Sequence, residues 1–316
     1  MTELQRYLAE EVAEDHVDGI ITRREAVRRL GLLGVTGSAA IALLGAAASE
    51  AAAGPGKGGG ARGSGRRGAR GRVVEWAPAT TEAITFAGPR GMLMAAWAPA
   101  PGTAKGAVLV IHENRGLNDH IRNVAGRFAA SGFSALALDL LSEEGGTASF
   151  PGEAEVAAAL SAAAPERFDA DMKAAVTELR RRAPRRRTSA IGFCFGGGMV
   201  WRLLAVGEQR LDAAAPFYGP FPSGGDLSAA RADVLGVYAG LDARVNATRD
   251  AAIAALAAAG LDHRVVTFTL ADHAFFNDTG PRFNAPAAEE AWHRVLDLFG
   301  HGHGHGGGDG RGRHER

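Results

Sequence analysis

Two patterns of apolar residues alternate through most of the chain. The continuous apolar run 107–111 is typical of a strand buried on both faces of a sheet, and the mostly apolar segment 134–140 predicts a second buried strand. Runs with helical spacing, such as 120–131 and 165–182, lie between them. Because strands that alternate with helices form a mostly parallel sheet with helices on both faces, we expect one α/β domain over residues 74–300.

The predicted elements fix where chemistry should be sought. Strands are expected at 82–87, 92–98, 107–111, 134–140, 188–192, 213–218, 234–239 and 263–270, the first two as an antiparallel pair. Helices are expected at 120–131, 153–163, 165–182, 197–206, 246–259 and 286–299. Ligands of such sheets bind beyond the carboxyl ends of the strands, so the residues that directly follow each strand are examined first.

The residues before the domain have the pattern of an export signal. Arg23 and Arg24 precede an apolar run rich in Gly and Ala, 30–48, and small residues continue to Ala53. This pattern predicts a signal over 1–53, and the paired arginines indicate the twin-arginine machinery as a partner. A transmembrane anchor is the alternative, but the glycines make the run weakly hydrophobic. We therefore expect an exported protein, periplasmic, in the cell envelope or secreted, with no stable membrane span in its mature form.

Two glycine-rich stretches flank the predicted domain. Residues 54–73 are rich in arginine and contain no acid, which predicts a flexible linker, with attraction to an anionic surface as the alternative. Residues 301–316 begin with alternating His and Gly, His301 to His305, and are predicted to be disordered. Their histidines could bind a metal only weakly, because the glycine spacing pre-organises no site.

Composition narrows the range of functions. The formal net charge is +0, which gives no reason to expect nucleic acid as a partner. Cys194 is the sole cysteine, so neither an intramolecular disulfide nor a cysteine-based zinc cluster can form. We expect no cofactor and no metal.

The strongest candidate for chemistry is Cys194. It lies in Gly192-Phe193-Cys194-Phe195-Gly196-Gly197, between a predicted strand and a predicted helix. Glycines on both sides allow a tight turn that projects a nucleophile out of the sheet. The helix N-terminus favours a thiolate, and the amide of Phe195 is placed to bind an oxyanion.

An acid and a histidine follow later strands. Asp242 comes after 234–239, and His273 comes after 263–270. Nucleophile, acid and histidine in this order are typical of hydrolases built on α/β sheets. Asp272 and Asp278 are rival acids, but both lie in the same loop as the histidine, so Asp242 is preferred.

A polar segment follows the apolar run 107–111. It begins with His112 and Glu113, and the amide of Asn114 is a candidate for the second donor of an oxyanion hole. The alternative is a solvated loop in which Glu113 pairs with Arg115.

Together these segments resemble the dienelactone hydrolase family, over about residues 80–300. The resemblance is carried by His112–Asn118, Gly192–Gly197, Gly240–Asp242 and Asp272–Phe275. It implies an α/β-hydrolase fold and an activity like that of carboxymethylenebutenolidase, on an ester or lactone. Cys194 would attack the carbonyl, His273 would carry protons and Asp242 would orient the histidine, with a thioester as the intermediate.

The resemblance also implies roles for the polar segment and for the substrate contacts. Glu113 matches a glutamate that contacts the thiol and helps to form the thiolate, and the amides of Asn114 and Phe195 match the oxyanion hole. Members that act on dienelactone hold its carboxylate with arginines, one of them four residues after the histidine, where this chain has Asn277. Asn277 itself, Arg115 and Arg122 are the candidate substrate contacts, and a neutral lactone or a simple ester remains an equal alternative.

Two other classes of function remain open at this stage. A catalytically idle binding module could use the same cleft and the basic stretch to hold a component of the envelope. A thiol redox sensor could use Cys194 alone, with an external thiol to restore it, since the chain has no second cysteine.

Overall fold

The computed structural model describes residues 1–53 and 78–301. The predicted linker at 54–73 and the His/Gly-rich tail after His301 lie outside the described residues, so nothing is added to either prediction.

The domain is built on a mixed sheet of eight strands in the order β1-β2-β4-β3-β5-β6-β7-β8. Strand β2 runs antiparallel to its neighbours β1 and β4, and the remaining neighbours pair in parallel. The strands are β1 Glu82–Ala87, β2 Met92–Ala98, β3 Ala107–Ile111, β4 Ser134–Asp139, β5 Thr188–Phe193, β6 Ala213–Phe217, β7 Asp233–Ala239 and β8 His263–Phe268. The prediction of a mostly parallel sheet is confirmed.

Helices connect the strands and cover the sheet. Within the described ranges they are α1 Glu3–Val17, α2 Arg23–Leu32, α3 Gly37–Ala53, α4 Asp119–Ala130, α5 Glu153–Ala162, α6 Pro165–Arg182, α7 Phe195–Ala205, α8 Ala243–Asn246, α9 Arg249–Ala258 and α10 Ala285–His301. Strands β3, β4 and β5 have every residue buried, which explains why β3 is a continuous apolar run and why β4 and β5 do not alternate apolar with exposed polar residues.

One predicted helix is wrong in its extent. Residues 246–259 were expected to form a single helix, but the chain forms α8 and α9 instead. The side chain of Asp242 caps α8, because its Oδ1 accepts a hydrogen bond from the amide of Val245 at 3.0 Å. The hydroxyl of Thr248 donates to the carbonyl of Val245 at 2.8 Å and lies between the two helices. An N-cap residue begins a helix by this contact, which periodicity alone does not reveal.

The N-terminal helices pack on the domain. Helix α1 begins with a capping box, in which the side chains and amides of Thr2 and Gln5 bond reciprocally. Thr22 caps α2 in the same manner, accepting from the amide of Glu25. Leu8 and Ala9 of α1 are fully or almost fully buried. Among residues 1–53 and 78–301, no helix is both long enough and apolar enough to cross a membrane.

The turn from β5 into α7 gives Cys194 an unusual backbone. Its φ is 56° and its ψ is −121°, a region that residues with a side chain rarely adopt. The Cys194 amide donates to the Phe217 carbonyl at 3.1 Å, and the Gly198 amide donates to the Cys194 carbonyl at 3.1 Å. A Cβ at Gly196 would lie 2.4 Å from the carbonyl oxygen of Ile111, so only glycine lets α7 approach β3 this closely.

This close approach predicts the effect of a methyl group. We expect Gly196→Ala to lower the free energy of unfolding by about 2–3 kcal/mol, since the methyl group would press on backbone that cannot rotate away. Gly31→Ala in α2 is the matched control, because a Cβ there meets nothing within 4 Å. The control should be stabilised by about 0.5–1 kcal/mol through helix propensity. Urea unfolding measures both, and equal effects of the two variants would contradict the proposed close contact.

Candidate active site

Asp242 and His273 form a buried pair at the carboxyl end of the sheet. Asp242 follows β7 and His273 follows β8, and Nδ1 of the histidine lies 2.6 Å from Oδ2 of the aspartate. Their exposed fractions are 0% and 1%. A histidine bonded through Nδ1 offers Nε2 to a neighbouring nucleophile.

The nucleophile candidate lies next to this pair. A ring nitrogen of His273 lies within 4.8 Å of Sγ of Cys194. Nδ1 is engaged with Asp242, so Nε2 is the nitrogen available to the thiol. Nε2 is buried and has no hydrogen-bond partner in the part of the chain that the structure describes.

The rival acids are engaged elsewhere. Asp278 bonds Nδ1 of His120 at 3.1 Å and pairs with Arg127 at 2.5 Å. The carboxylate of Asp272 accepts a hydrogen bond from the backbone amide of His273 at 2.8 Å, not from its ring. Of the three acids considered from the sequence, the structure brings only Asp242 to the imidazole.

The charges of Asp242 and His273 stabilise each other. Burial alone would lower the pKa of His273, but the Asp242 carboxylate and the negative charge available on Cys194 raise it well above its usual value. Burial alone would raise the pKa of Asp242, but the charge and hydrogen bond of His273 lower it instead. Asp242 is therefore an anion placed to stabilise the imidazolium that forms when His273 takes up a proton.

The thiol itself is in a different environment. Burial and the nearby carboxylate of Glu11 raise the pKa of Cys194, and His273 opposes them. Sequence reasoning predicted that the helix N-terminus would favour a thiolate. In this conformation the burial of the sulfur, 2% exposed, and the added carboxylate act in the opposite direction.

Glu113 is buried beside the site and held by an amide. Its Oε2 accepts a hydrogen bond from Nδ2 of Asn277 at 2.8 Å, while Oε1 is buried without a partner among the described residues. Asn277, considered from the sequence as a substrate contact, therefore orients Glu113, and its Oδ1 accepts from the amide and hydroxyl of Thr279. Both residues line the cavity beside Cys194.

His112 fixes the backbone that leads into this segment. Its Nε2 accepts from the amide of Leu140 at 3.1 Å, so Nδ1 carries the proton and donates to the carbonyl of Glu113 at 2.6 Å. Burial lowers the pKa of His112, which keeps the ring neutral in this arrangement. The ring thereby sets the orientation of the peptide between Glu113 and Asn114.

The two predicted oxyanion donors begin segments that follow strands. Phe195 opens α7 and Asn114 follows β3, the strand next to β5. Neither amide has an acceptor within the described part of the chain. Unpaired amides at a nucleophile are the arrangement that an oxyanion hole requires.

The candidate arginines lie in different places. Arg115 lines the cavity beside Cys194, and its Nη1 lies 3.4 Å from Oε1 of Glu153. Arg122 lies on α4 and does not line this cavity. The structure therefore brings Arg115 to the site and leaves Arg122 outside it.

Sequence reasoning missed three residues at the site. Tyr7 and Glu11 of α1 contact the thiol, with the Tyr7 hydroxyl at 3.4 Å from Sγ and the Glu11 carboxylate oxygens at 3.4 and 3.5 Å. Tyr218, directly after β6, packs its ring edge-on to His273 with centroids 5.2 Å apart. The four-residue spacing of Tyr7, Glu11 and Asp15 on one helical face was the signal available for the first two.

Comparison with known proteins gives the family. The model of the Dienelactone hydrolase family matches residues 94–302. Proteins named "Putative carboxymethylenebutenolidase" are similar to this chain. The one from Escherichia coli O157:H7 is 30% identical over 208 residues, which is 61% of this chain and 75% of that protein. The one from Methylorubrum extorquens is 30% identical over 217 residues, which is 64% of this chain and 74% of that protein.

Solved structures agree. The crystal structure of a "Putative Dienelactone Hydrolase" from Klebsiella pneumoniae has a TM-score of 0.60 and 27% identity, and the match covers 70% of this chain and 98% of that chain. The helices α1, α2 and α3 precede the segment that the family model matches. Since that segment is well over half of the sequence and contains Cys194, Asp242 and His273, the chain belongs to the dienelactone hydrolase family.

Proposed function

We propose that this protein hydrolyses an ester or lactone through Cys194, His273 and Asp242, with a thioester intermediate. The observation that carries the proposal is the buried Asp242–His273 hydrogen bond, 2.6 Å long, beside a cysteine on a strained turn between strand and helix. The family and the names of the relatives support the same class of substrate.

The reaction follows from the positions of the groups. Nε2 of His273 accepts the proton of the thiol, and the sulfur forms a bond to the carbonyl carbon of the substrate. The amides of Phe195 and Asn114 stabilise the negative oxygen that results. When the carbon–oxygen bond breaks, the imidazolium returns its proton to the leaving alkoxide, which stays attached to the acyl chain if the substrate is a lactone.

The second half of the reaction uses water. His273 accepts a proton from water as its oxygen attacks the thioester, and the thiol is regenerated as the carboxylic acid leaves. Asp242 stabilises the imidazolium in both halves. Glu113, held by Asn277 with one oxygen free, is proposed to contact the thiol when substrate enters and to help it ionise toward His273, and Arg115 is proposed to contact a substrate carboxylate where one is present.

The redox-sensor alternative finds little support in the site. Sensor cysteines are accessible and of low pKa, whereas Cys194 is buried and its pKa is raised. An idle binding module would need no buried Asp–His pair and is separated from a hydrolase by the activity experiment below.

We also propose that the protein is exported by the twin-arginine route. Arg23 and Arg24 begin α2 with exposed side chains, and the small, apolar residues of α3 follow. A receptor that reads an arginine pair requires it to be accessible, which these two residues satisfy in the folded chain.

The first test of the hydrolase proposal is turnover of p-nitrophenyl acetate and a panel of small lactones. We expect Cys194→Ala to lower kcat/KM at least about 10³-fold, because the covalent step is lost. Cys194→Ser should lose about 10²-fold or more, since a hydroxyl is far less acidic than a thiol. Hydrolysis by the Cys194→Ala chain at the rate of the parent would contradict covalent catalysis and favour a binding module.

A matched pair of variants tests which acid supports the imidazole. Asp242→Asn should lower kcat about 10²–10⁴-fold because the imidazolium loses its stabilising anion. Asp272→Asn, which changes a carboxylate that accepts from the backbone amide of His273 and not from its ring, should keep activity within about tenfold. The reverse order of effects would assign the acid to Asp272. Circular dichroism of each variant separates loss of activity from loss of fold.

The buried pair of Asp242 and His273 predicts how stability depends on pH. The lowered pKa of Asp242 gives stability that is present above its usual value of 3.8 and is lost as pH falls through the folded-state pKa. The raised pKa of His273 gives stability that is full below its usual value of 6.5 and is lost as pH rises through the folded-state pKa. Both contributions are therefore present together between about pH 4 and 6.5.

Urea unfolding of the parent and of Asp242→Asn, from pH 3 to 9, measures this. The difference in free energy of unfolding should be greatest in that window and should shrink on either side of it. Asp297→Asn, an exposed carboxylate on α10, is the control and should show a difference that does not vary with pH in this manner. A flat difference for Asp242→Asn would show that the pair is not charged in the folded protein.

The export proposal is tested in a bacterial host that has the twin-arginine route. Arg23→Lys with Arg24→Lys should reduce the exported fraction to about a tenth or less, since a receptor that reads the pair distinguishes arginine from lysine. Arg28→Lys with Arg29→Lys, a second arginine pair on the same helix, is the matched control and should be exported normally. Equal export of both double variants would exclude this route.

A further inference from the structure

The buried face of α1 has an unusual composition. Tyr7, Glu11 and Asp15 lie one turn apart on the same side of the helix and are 7%, 8% and 7% exposed. Acidic side chains are rarely buried without partners because their desolvation is costly. A helix with two such acids on its buried face must meet complementary groups on the surface that it covers.

Those groups lie on both sides of the thiol. Arg282, in the segment after His273, pairs with Asp15 at 2.9 Å and with Asp18 at 2.7 Å. Arg244, two residues after Asp242, has its guanidinium 4.4 Å from the centre of the Tyr7 ring and lies 3.4 Å from Glu14. The two arginines thus hold α1 across the carboxyl ends of β7 and β8.

Between these anchors α1 reaches the reacting atoms. The sulfur of Cys194 donates a hydrogen bond to the Glu11 carboxylate and contacts the Tyr7 hydroxyl. The imidazole Nε2, which should accept the thiol proton, is left without a hydrogen-bond partner among the described residues. The thiol therefore donates to Glu11, a carboxylate that the proposed reaction does not use, although the nearby imidazole still interacts with the sulfur.

The helix also fills the space that a substrate would need. The cavity beside Cys194 has a volume of about 30 Å³, and the cavity next to it has about 20 Å³. Both are lined by Glu11 and Asp15. Ligand sites are usually about 300–1,000 Å³, so neither cavity has room for an ester or lactone while α1 is in place.

We propose that α1 is an intramolecular occupant of the substrate cleft and that this chain is a latent enzyme until α1 leaves. The proposal rests on the hydrolase function proposed above. The occupant acts in two ways, since it excludes substrate by volume and gives the thiol proton a competing acceptor in Glu11. Helix α1 lies outside the segment matched by the family model, so the occupant is an addition to the family domain and not a part of it.

The sole cysteine gives a direct measure of occupancy. Alkylation of Cys194 by iodoacetamide requires the sulfur to be uncovered, and no second thiol contributes to the signal. Rates are compared in the full chain, in Asp15→Ala with Asp18→Ala, and in Glu10→Ala. The double variant removes the anchor to Arg282 without touching the family domain, and Glu10 lies on α1 with no contact to the thiol.

We expect alkylation of the double variant to be at least about tenfold faster than that of the parent, with the hydrolysis of p-nitrophenyl acetate raised in parallel. Glu10→Ala should behave as the parent. Equal alkylation rates in all three chains would overturn the proposal. Faster alkylation without any hydrolysis would support occupancy and would count against the hydrolase function alone.

A peptide guards against a variant that is merely misfolded. A synthetic peptide of residues 2–18, added to the double variant, should restore slow alkylation and inhibit hydrolysis competitively. The same peptide with Tyr7→Phe and Glu11→Gln should be at least about tenfold weaker, since it lacks the groups that contact the sulfur. A parent-sequence peptide with no effect on either rate at mM concentration would overturn the proposal.

Discussion

The site depends on the backbone of Cys194 being held at a positive φ. That conformation directs the sulfur away from the sheet while β5 continues directly into α7. It is maintained by hydrogen bonds to the neighbouring strand and by the contact of Gly196 with the end of β3. Because the same contact brings β3 next to the elbow, the amides of Phe195 and Asn114 are brought to the site by one packing arrangement.

Charge balance is the second constraint. Three of the buried carboxylates at the cleft have a specific group that opposes the charge or donates a hydrogen bond. Asp242 has His273, Glu113 has the amide of Asn277, and Asp15 has Arg282. Such pairs contribute modestly to stability in comparison with apolar residues of the same shape, but removing one partner is costly. The geometry of the cleft is therefore specified by polar groups that cannot be changed singly.

Much of this could be predicted from the sequence, for physical reasons. Strands buried on both faces appear as apolar runs, and the parallel sheet makes the residues after each run converge, which brought Asp242 and His273 under consideration together. The predicted bounds of a helix differ from the observed ones where a side chain caps the backbone, as Asp242 does at the start of α8. The hydrogen bond between Asn277 and Glu113 joins residues 164 positions apart, and local sequence patterns do not reveal contacts at that separation. From the sequence, Asn277 was therefore considered only as a substrate contact.

The N-terminal segment shows the limit of such reasoning most clearly. Its helical spacing was visible, but the contact of Glu11 with Cys194 joins residues 183 positions apart. Periodicity states that a helix has a buried face and does not state what that face covers. The acids on the face were the available clue, because an acid on a buried face implies a cation or a donor opposite it.

Covalent attachment decides how tightly α1 must bind to fill the cleft. A tethered segment meets its own site at an effective concentration on the order of 1 mM. An affinity of only about 0.1 mM would then keep roughly nine-tenths of the molecules closed. If the chain were cleaved after α3, the effective concentration of about 1 mM would no longer apply, and the released N-terminal fragment would bind at its actual concentration in solution. At about 1 μM, roughly one molecule in a hundred would stay closed, so weak contacts suffice for retention and permit complete release.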